Sequence, residues 1–117
     1  MTTGLIAMFF ASAIAAINPG SAGAEPTNHI QQAREHMNAA LTQGQTGHTK
    51  ALVQHARMAL DHIKMAQQEK PMGDLVKAQD SLAQTIDAGE KGDANKATEH
   101  AKESVEYLDA VIGALGG

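Results

Sequence analysis

The chain repeats its own pattern at an offset of 45 residues, and this repeat limits the folds open to it. Residues 44–66 align without gaps on residues 89–111, and each copy contains a Gly-x-x-Gly segment. The identical positions are Gly44, Gly47, His55 and Ala56, which correspond to Gly89, Gly92, His100 and Ala101. Apolar residues recur at helical spacing on both sides of each glycine segment. Each copy therefore predicts two helices joined by a tight turn, with Gly44 suited to the left-handed end of the first helix.

The predicted helices span about 28–43, 48–69, 74–88 and 93–114. Pro71 separates the two copies, because proline disfavours helix at the residue before it. Asp93 is a suitable N-cap for the last helix. Short connections join antiparallel neighbours, so we predict an all-α fold: an antiparallel up-down four-helix bundle built from two helical hairpins, about 28–69 and 74–114.

The first residues predict a targeting segment rather than part of the fold. Residues 5–17 are almost wholly apolar, and Ala22-Gly23-Ala24 is the small-x-small pattern that signal peptidase reads. We predict a signal peptide over 1–24, a mature domain over 25–117 and a periplasmic location; an N-terminal membrane anchor is the alternative. The chain contains no cysteine, so packing or a bound ligand must hold the exported domain together.

Histidines are concentrated in the first hairpin. Five of the six lie there, at spacings of 7, 12, 7 and 7 residues: His29, His36, His48, His55 and His62. Seven residues are close to two helical turns, so histidines at this spacing share one face of a helix. Imidazole nitrogens on one face are typical ligands of transition metals.

The turn predicts which histidines face each other. It is centred between Gln45 and Thr46, so residues at the same level have numbers that sum to about 91. His29 with His62, and His36 with His55, both satisfy this sum. We therefore predict two cross-helix pairs about 10 Å apart along the helices, too far apart to share one ion.

The remaining candidate ligands are weaker. His48 lies beside the turn and is predicted to be more exposed. His100 is the one histidine of the second hairpin, where the other four equivalents are Asp74, Ser81, Asp93 and Tyr107. Glu99 lies beside it and Glu103 one turn on, so it predicts a weak site of one imidazole and a carboxylate. Met58 and Met65 adjoin the histidines along the second helix, where a thioether suits Cu(I); flexible packing is the alternative interpretation.

These patterns indicate a metal-binding protein that is not an enzyme. Cu(II) is the first candidate by the Irving–Williams order, followed by Ni(II) and Zn(II), for buffering, storage or transport. A net charge of −4 argues against nucleic acid as a partner, and we expect a monomer without membrane contact once the leader is removed. Two alternatives stay open: a b-type haem bundle using His100 and Met37, and a helical interaction or stress protein that binds no metal.

The chain resembles the small metal-binding protein family, exported histidine-rich four-helix bundles of ammonia-oxidising bacteria. The resemblance covers the mature chain and is strongest over residues 47–66 and 97–108. It implies periplasmic binding of divalent transition metals, copper foremost. Its heptad motif carries the ligand roles to His29, His36, His48, His55, His62 and His100. The family is richer in histidine than this chain, which implies fewer or weaker sites here.

Overall fold

A computed structural model describes residues 26–116, which form four α-helices. These are α1 (Pro26–Gln45), α2 (Thr49–Glu69), α3 (Gly73–Glu90) and α4 (Ala94–Ala114). The all-α four-helix bundle is confirmed, and each helix begins and ends within about two residues of its predicted bounds. The predicted signal peptide, residues 1–24, lies outside the described residues. None of the helices within residues 26–116 is both long and apolar enough to cross a membrane.

The two glycine turns have the same geometry. Gly47 and Gly92 have φ angles of 82° and 80°, a left-handed conformation that favours glycine. In the first turn the amide of Gly47 donates to the Gly44 carbonyl and that of His48 to the Gln43 carbonyl. The second turn repeats both bonds at positions 45 residues later, so both helices end in the same Schellman motif.

The prediction that Gly44 has the left-handed conformation is wrong. Gly47, not Gly44, has the positive φ. Gly44 is buried instead, and a Cβ atom there would overlap the side chains of Thr98 and Leu52. Gly89 is buried in the same way against Val53. The first glycine of each Gly-x-x-Gly segment thus permits close helix packing, and the second permits the turn.

The helices form a ring in which each one packs against two neighbours. α1 contacts α2 and α4, and α3 contacts the same two helices. The core is aliphatic and rich in alanine. Its largest fully buried apolar side chains are Ile30, Met37, Leu52, Ile63, Leu75, Leu82, Leu108 and Val111. Alanine at many of the other core positions allows the helices to approach closely.

Partly exposed ion pairs lie along two of the four helix–helix edges. Arg34 of α1 pairs with Asp109 of α4, and Arg57 of α2 pairs with Glu90 of α3. The two remaining edges are those within each hairpin, α1–α2 and α3–α4. These edges hold the histidines and their counterparts.

Candidate metal centre

The core of the first hairpin places four histidines at its edge. Ile30, Met37, Ala56 and Ile63 are fully buried, and each follows a histidine directly in the sequence. Because neighbours in a helix point about 100° apart, the preceding side chain lies at the rim of the interface. His29, His36, His55 and His62 are accordingly half-buried. We call these four residues the histidine seam.

Both predicted cross-helix contacts are present in the seam. The ring centroids of His29 and His62 are 5.5 Å apart, and those of His36 and His55 are 5.8 Å apart. Since residue numbers rise along α1 as they fall along α2, these contacts show that the two helices run in opposite directions. The register predicted from the turn is thus the observed one.

The rings of the two pairs lie closer together than the predicted spacing of about 10 Å, although no three His, Asp or Glu side chains of residues 26–116 are grouped to share one ion. His36 and His62 come from different pairs, yet their rings stack with centroids 5.7 Å apart and planes 14° from parallel. Side chains in a helix lean toward its N-terminus. In antiparallel helices this lean carries His36 and His62 toward each other and His29 and His55 apart. The four rings therefore form one continuous row in the order His29, His62, His36, His55.

The end of this row has a spacing that fits a metal ion. His29 Nδ1 and His62 Nδ1 are 3.3 Å apart. An ion bound at about 2.0 Å from two imidazole nitrogens, at a tetrahedral angle, would hold them about 3.3 Å apart. In the free protein the same contact is a hydrogen bond, in which the protonated nitrogen donates to the other. A metal ion would take the place of that shared proton.

Burial favours the neutral form of the two histidines in the middle of the seam. Burial lowers the pKa of His36, the nearby His55 lowers it further, and Glu35 opposes both effects. Burial also lowers the pKa of His62, with His36 and His29 adding to the effect and Asp61 opposing it. A neutral imidazole has a free lone pair, which is the form that binds metal.

His55 carries an unsatisfied nitrogen. Its Nδ1 atom is buried and has no hydrogen-bond partner. A buried polar atom without a partner costs free energy, and this cost would be relieved by a ligand at the nitrogen or by rotation of the ring. The donor chemistry of the seam thus fits a cation, but each contact supplies two nitrogens only. Within residues 26–116, no three His, Asp or Glu side chains are grouped so that they could hold one ion.

His48 is not part of the seam. It is exposed at the N-cap of α2, where its Nδ1 atom is 3.0 Å from Thr46 Oγ1 and 3.2 Å from Gln43 Oε1. Its level partner on α1 is Gln43, not another histidine. His48 therefore offers one exposed imidazole beside two uncharged oxygen atoms, a hydroxyl and an amide oxygen.

His100 lies in the second hairpin, where the counterparts of the other three seam histidines are Asp74, Ser81 and Tyr107. Ser81, the equivalent of His36, forms a hydrogen bond of 2.7 Å with Ser104, and both are buried. His100 Nδ1 is 3.2 Å from Glu103 Oε1. The adjoining groove between α3 and α4 is lined by as many lysines as aspartates, namely Lys91, Lys96, Asp87 and Asp93. One imidazole and one carboxylate beside balanced charges make a poor metal site.

Comparison with known proteins adds one decisive observation. A family model described as "Small metal-binding protein" matches residues 2–111 of the chain. The chain belongs to this family. No individual curated protein matches the sequence. The matched range contains the four seam histidines together with His48 and His100.

Membership of the small metal-binding protein family supports metal ions as the partners of this bundle. The family is not a known enzyme family. The haem alternative gains no support from the geometry, because Met37 is fully buried in the aliphatic core while His100 lies at the α3–α4 groove. What sequence reasoning missed is the contact between His36 and His62, for which the lean of helical side chains was the available signal.

Proposed function

We propose that the histidine seam binds divalent transition-metal ions as exchangeable cargo, with Cu(II) bound most tightly and Ni(II) and Zn(II) more weakly. The observation that carries this proposal is the continuous row of four imidazoles across α1 and α2. Family membership supports it. Cu(II) ranks first because imidazole sites follow the Irving–Williams order among divalent ions.

The seam has the properties of a carrier or buffer rather than of a structural site. Structural zinc sites enclose the ion with four protein ligands, whereas each contact of the seam offers two nitrogens. An ion held there keeps coordination positions open for water or for a receiving ligand. The hydrophobic core is complete without the ion, so loading and release need not unfold the bundle.

The apolar leader and the Ala22-Gly23-Ala24 pattern support export, so we propose that the protein serves metal buffering, storage or transport in the periplasm. An acidic protein is suited to this role, because a net charge of −4 raises the local concentration of cations. The proposed ligands are His29, His36, His55 and His62, with His48 and His100 as accessory weak sites.

Titration of the purified protein with Cu(II) at about pH 7.5, above the ordinary imidazole pKa of about 6.5, tests the proposal. A His36→Ala, His62→Ala double variant should lose most of the tight copper binding, because it removes at least one nitrogen from each of the three ring contacts of the seam. The matched control is His48→Ala, His100→Ala, which also removes two imidazoles but none from the seam. If the two double variants bind copper equally well, the seam is not the site.

A further inference from the structure

Two exposed methionines lie along the seam. Met58 and Met65 are 41% and 40% exposed and are the only large hydrophobic side chains of α2 that are exposed to this degree. A single exposed apolar side chain is ordinary. These two, however, are spaced seven residues apart, as His55 and His62 are, and each follows a seam histidine by three residues. Core packing does not explain side chains so exposed.

Helix geometry places Met58 and Met65 beside the seam histidines on the surface of α2. Residues three and four apart are neighbours on a helix surface, with Cβ atoms about 5–6 Å apart. Met58 lies three residues after His55 and four before His62, so it adjoins both. Met65 lies three residues after His62. The outer face of α2 thus alternates imidazole and thioether groups.

The second hairpin shows that a side chain at this position turns toward the imidazole. Glu103 is the counterpart of Met58, and His100 is the counterpart of His55. Glu103 Oε1 lies 3.2 Å from His100 Nδ1. A donor atom at the Met58 position can therefore approach the ring three residues earlier.

The second hairpin lacks both methionines and keeps one of the two seam histidines of α2, as His100. Tyr107 replaces His62, and Ala110 replaces Met65. The thioethers occur only in the hairpin that holds the four-imidazole row. This joint occurrence links them to the chemistry of the seam rather than to the fold, which both hairpins share.

We propose that Met58 and Met65 are thioether ligands that allow the seam to hold Cu(I) as well as Cu(II). Thioether sulfur is a soft donor that selects Cu(I), whereas the imidazoles alone suit divalent ions. In residues 26–116 no third nitrogen or carboxylate ligand completes the two-imidazole contacts, so a sulfur atom can occupy the next coordination position. No change of oxidation state by the protein is involved. The inference rests on the proposed function of the histidine seam.

The test compares Cu(I) affinity among methionine variants under anaerobic conditions, using a chromogenic Cu(I) chelator as competitor. A Met58→Leu, Met65→Leu variant keeps side-chain size and hydrophobicity but removes both sulfur atoms. It should bind Cu(I) about tenfold more weakly or worse, since losing even an outer-sphere partner of a metal site costs 10–100-fold. Its Cu(II) affinity should be unchanged. Met72→Leu, at the connection between α2 and α3, is the control and should bind both ions normally.

X-ray absorption of the Cu(I)-loaded protein gives a second readout, with a sulfur scatterer expected in the wild type and absent from the double variant. Unchanged Cu(I) affinity in Met58→Leu, Met65→Leu overturns the inference, as does an equal loss in Met72→Leu. In both cases the proposed function stands if His36→Ala, His62→Ala still loses Cu(II) binding. Normal Cu(II) binding by that histidine variant would instead overturn the proposed function, and this inference with it.

Discussion

Acidification should destabilise the metal-free protein below about pH 6.5, because two seam imidazoles resist protonation in the folded state. Burial is the largest cause of the lowered pKa of both His36 and His62. In the unfolded chain both imidazoles return to the ordinary value of 6.5. Above that pH both states are neutral at these positions and nothing is lost. As the pH falls from 6.5 through the folded-state pKa values, the unfolded state binds more protons, so the free energy of unfolding falls.

The number of protons sets the size of the effect. A difference of one whole proton between the two states changes the free energy of unfolding by about 1.4 kcal/mol per pH unit. Two imidazoles therefore set an upper limit of about 2.7 kcal/mol per pH unit. Both side chains are only half-buried, so solvent screens the charge and we expect about 1 kcal/mol or less per pH unit.

Urea unfolding followed by circular dichroism at about pH 7 and pH 5.5, with a chelator present, measures this slope in the range where histidines titrate and most carboxylates do not. A His36→Gln, His62→Gln variant should lose most of the pH dependence, and the exposed His48→Gln control should keep it. The reasoning is refuted if the wild type is as stable at the lower pH as at the higher one, or if the seam variant keeps the full slope.

Two further predictions concern the fold. Ile63→Ala should destabilise the protein by about 2–5 kcal/mol in urea unfolding because it leaves a cavity in a fully buried site, whereas Val76→Ala, on an exposed face, should change stability by about 0.5 kcal/mol or less. Gly47→Ala should lower the free energy of unfolding by about 1–2 kcal/mol, because alanine is strained at a positive φ. Gly73→Ala, at the start of α3 with open space around it, should stabilise the protein slightly. Equal shifts of the thermal unfolding midpoint in the two glycine variants would contradict this.

The bundle and its register could be predicted from the sequence because both depend on backbone periodicity. The heptad spacing of Ile30, Met37, Ala56 and Ile63 identified the buried faces, and all four are fully buried. The centre of the turn then fixed the level of each residue, and the contacts of His29 with His62 and of His36 with His55 follow that level. Neither inference required knowledge of a side-chain conformation.

What could not be predicted depends on side-chain direction and on close approach. The stacking of His36 on His62 arises because side chains lean in opposite directions on antiparallel helices. The predicted distance between the two pairs was taken from backbone positions along the helices, which do not include this lean. The role of Gly44 depends on Thr98 of α4, a residue 54 positions away in the sequence. Local turn rules contain no information about that neighbour.

The continuous row makes a prediction that two separate pairs would not. If His29–His62 and His36–His55 bound copper independently, His29→Ala and His36→Ala would each remove one site and leave the other unchanged. In the seam, however, the ring of His36 lies beside both His55 and His62, whereas His29 contacts His62 at the end of the row. We therefore expect His36→Ala to lower copper affinity and stoichiometry more than His29→Ala, as measured by equilibrium dialysis of both variants. Equal losses would mean that the two pairs act separately, despite the contact between them.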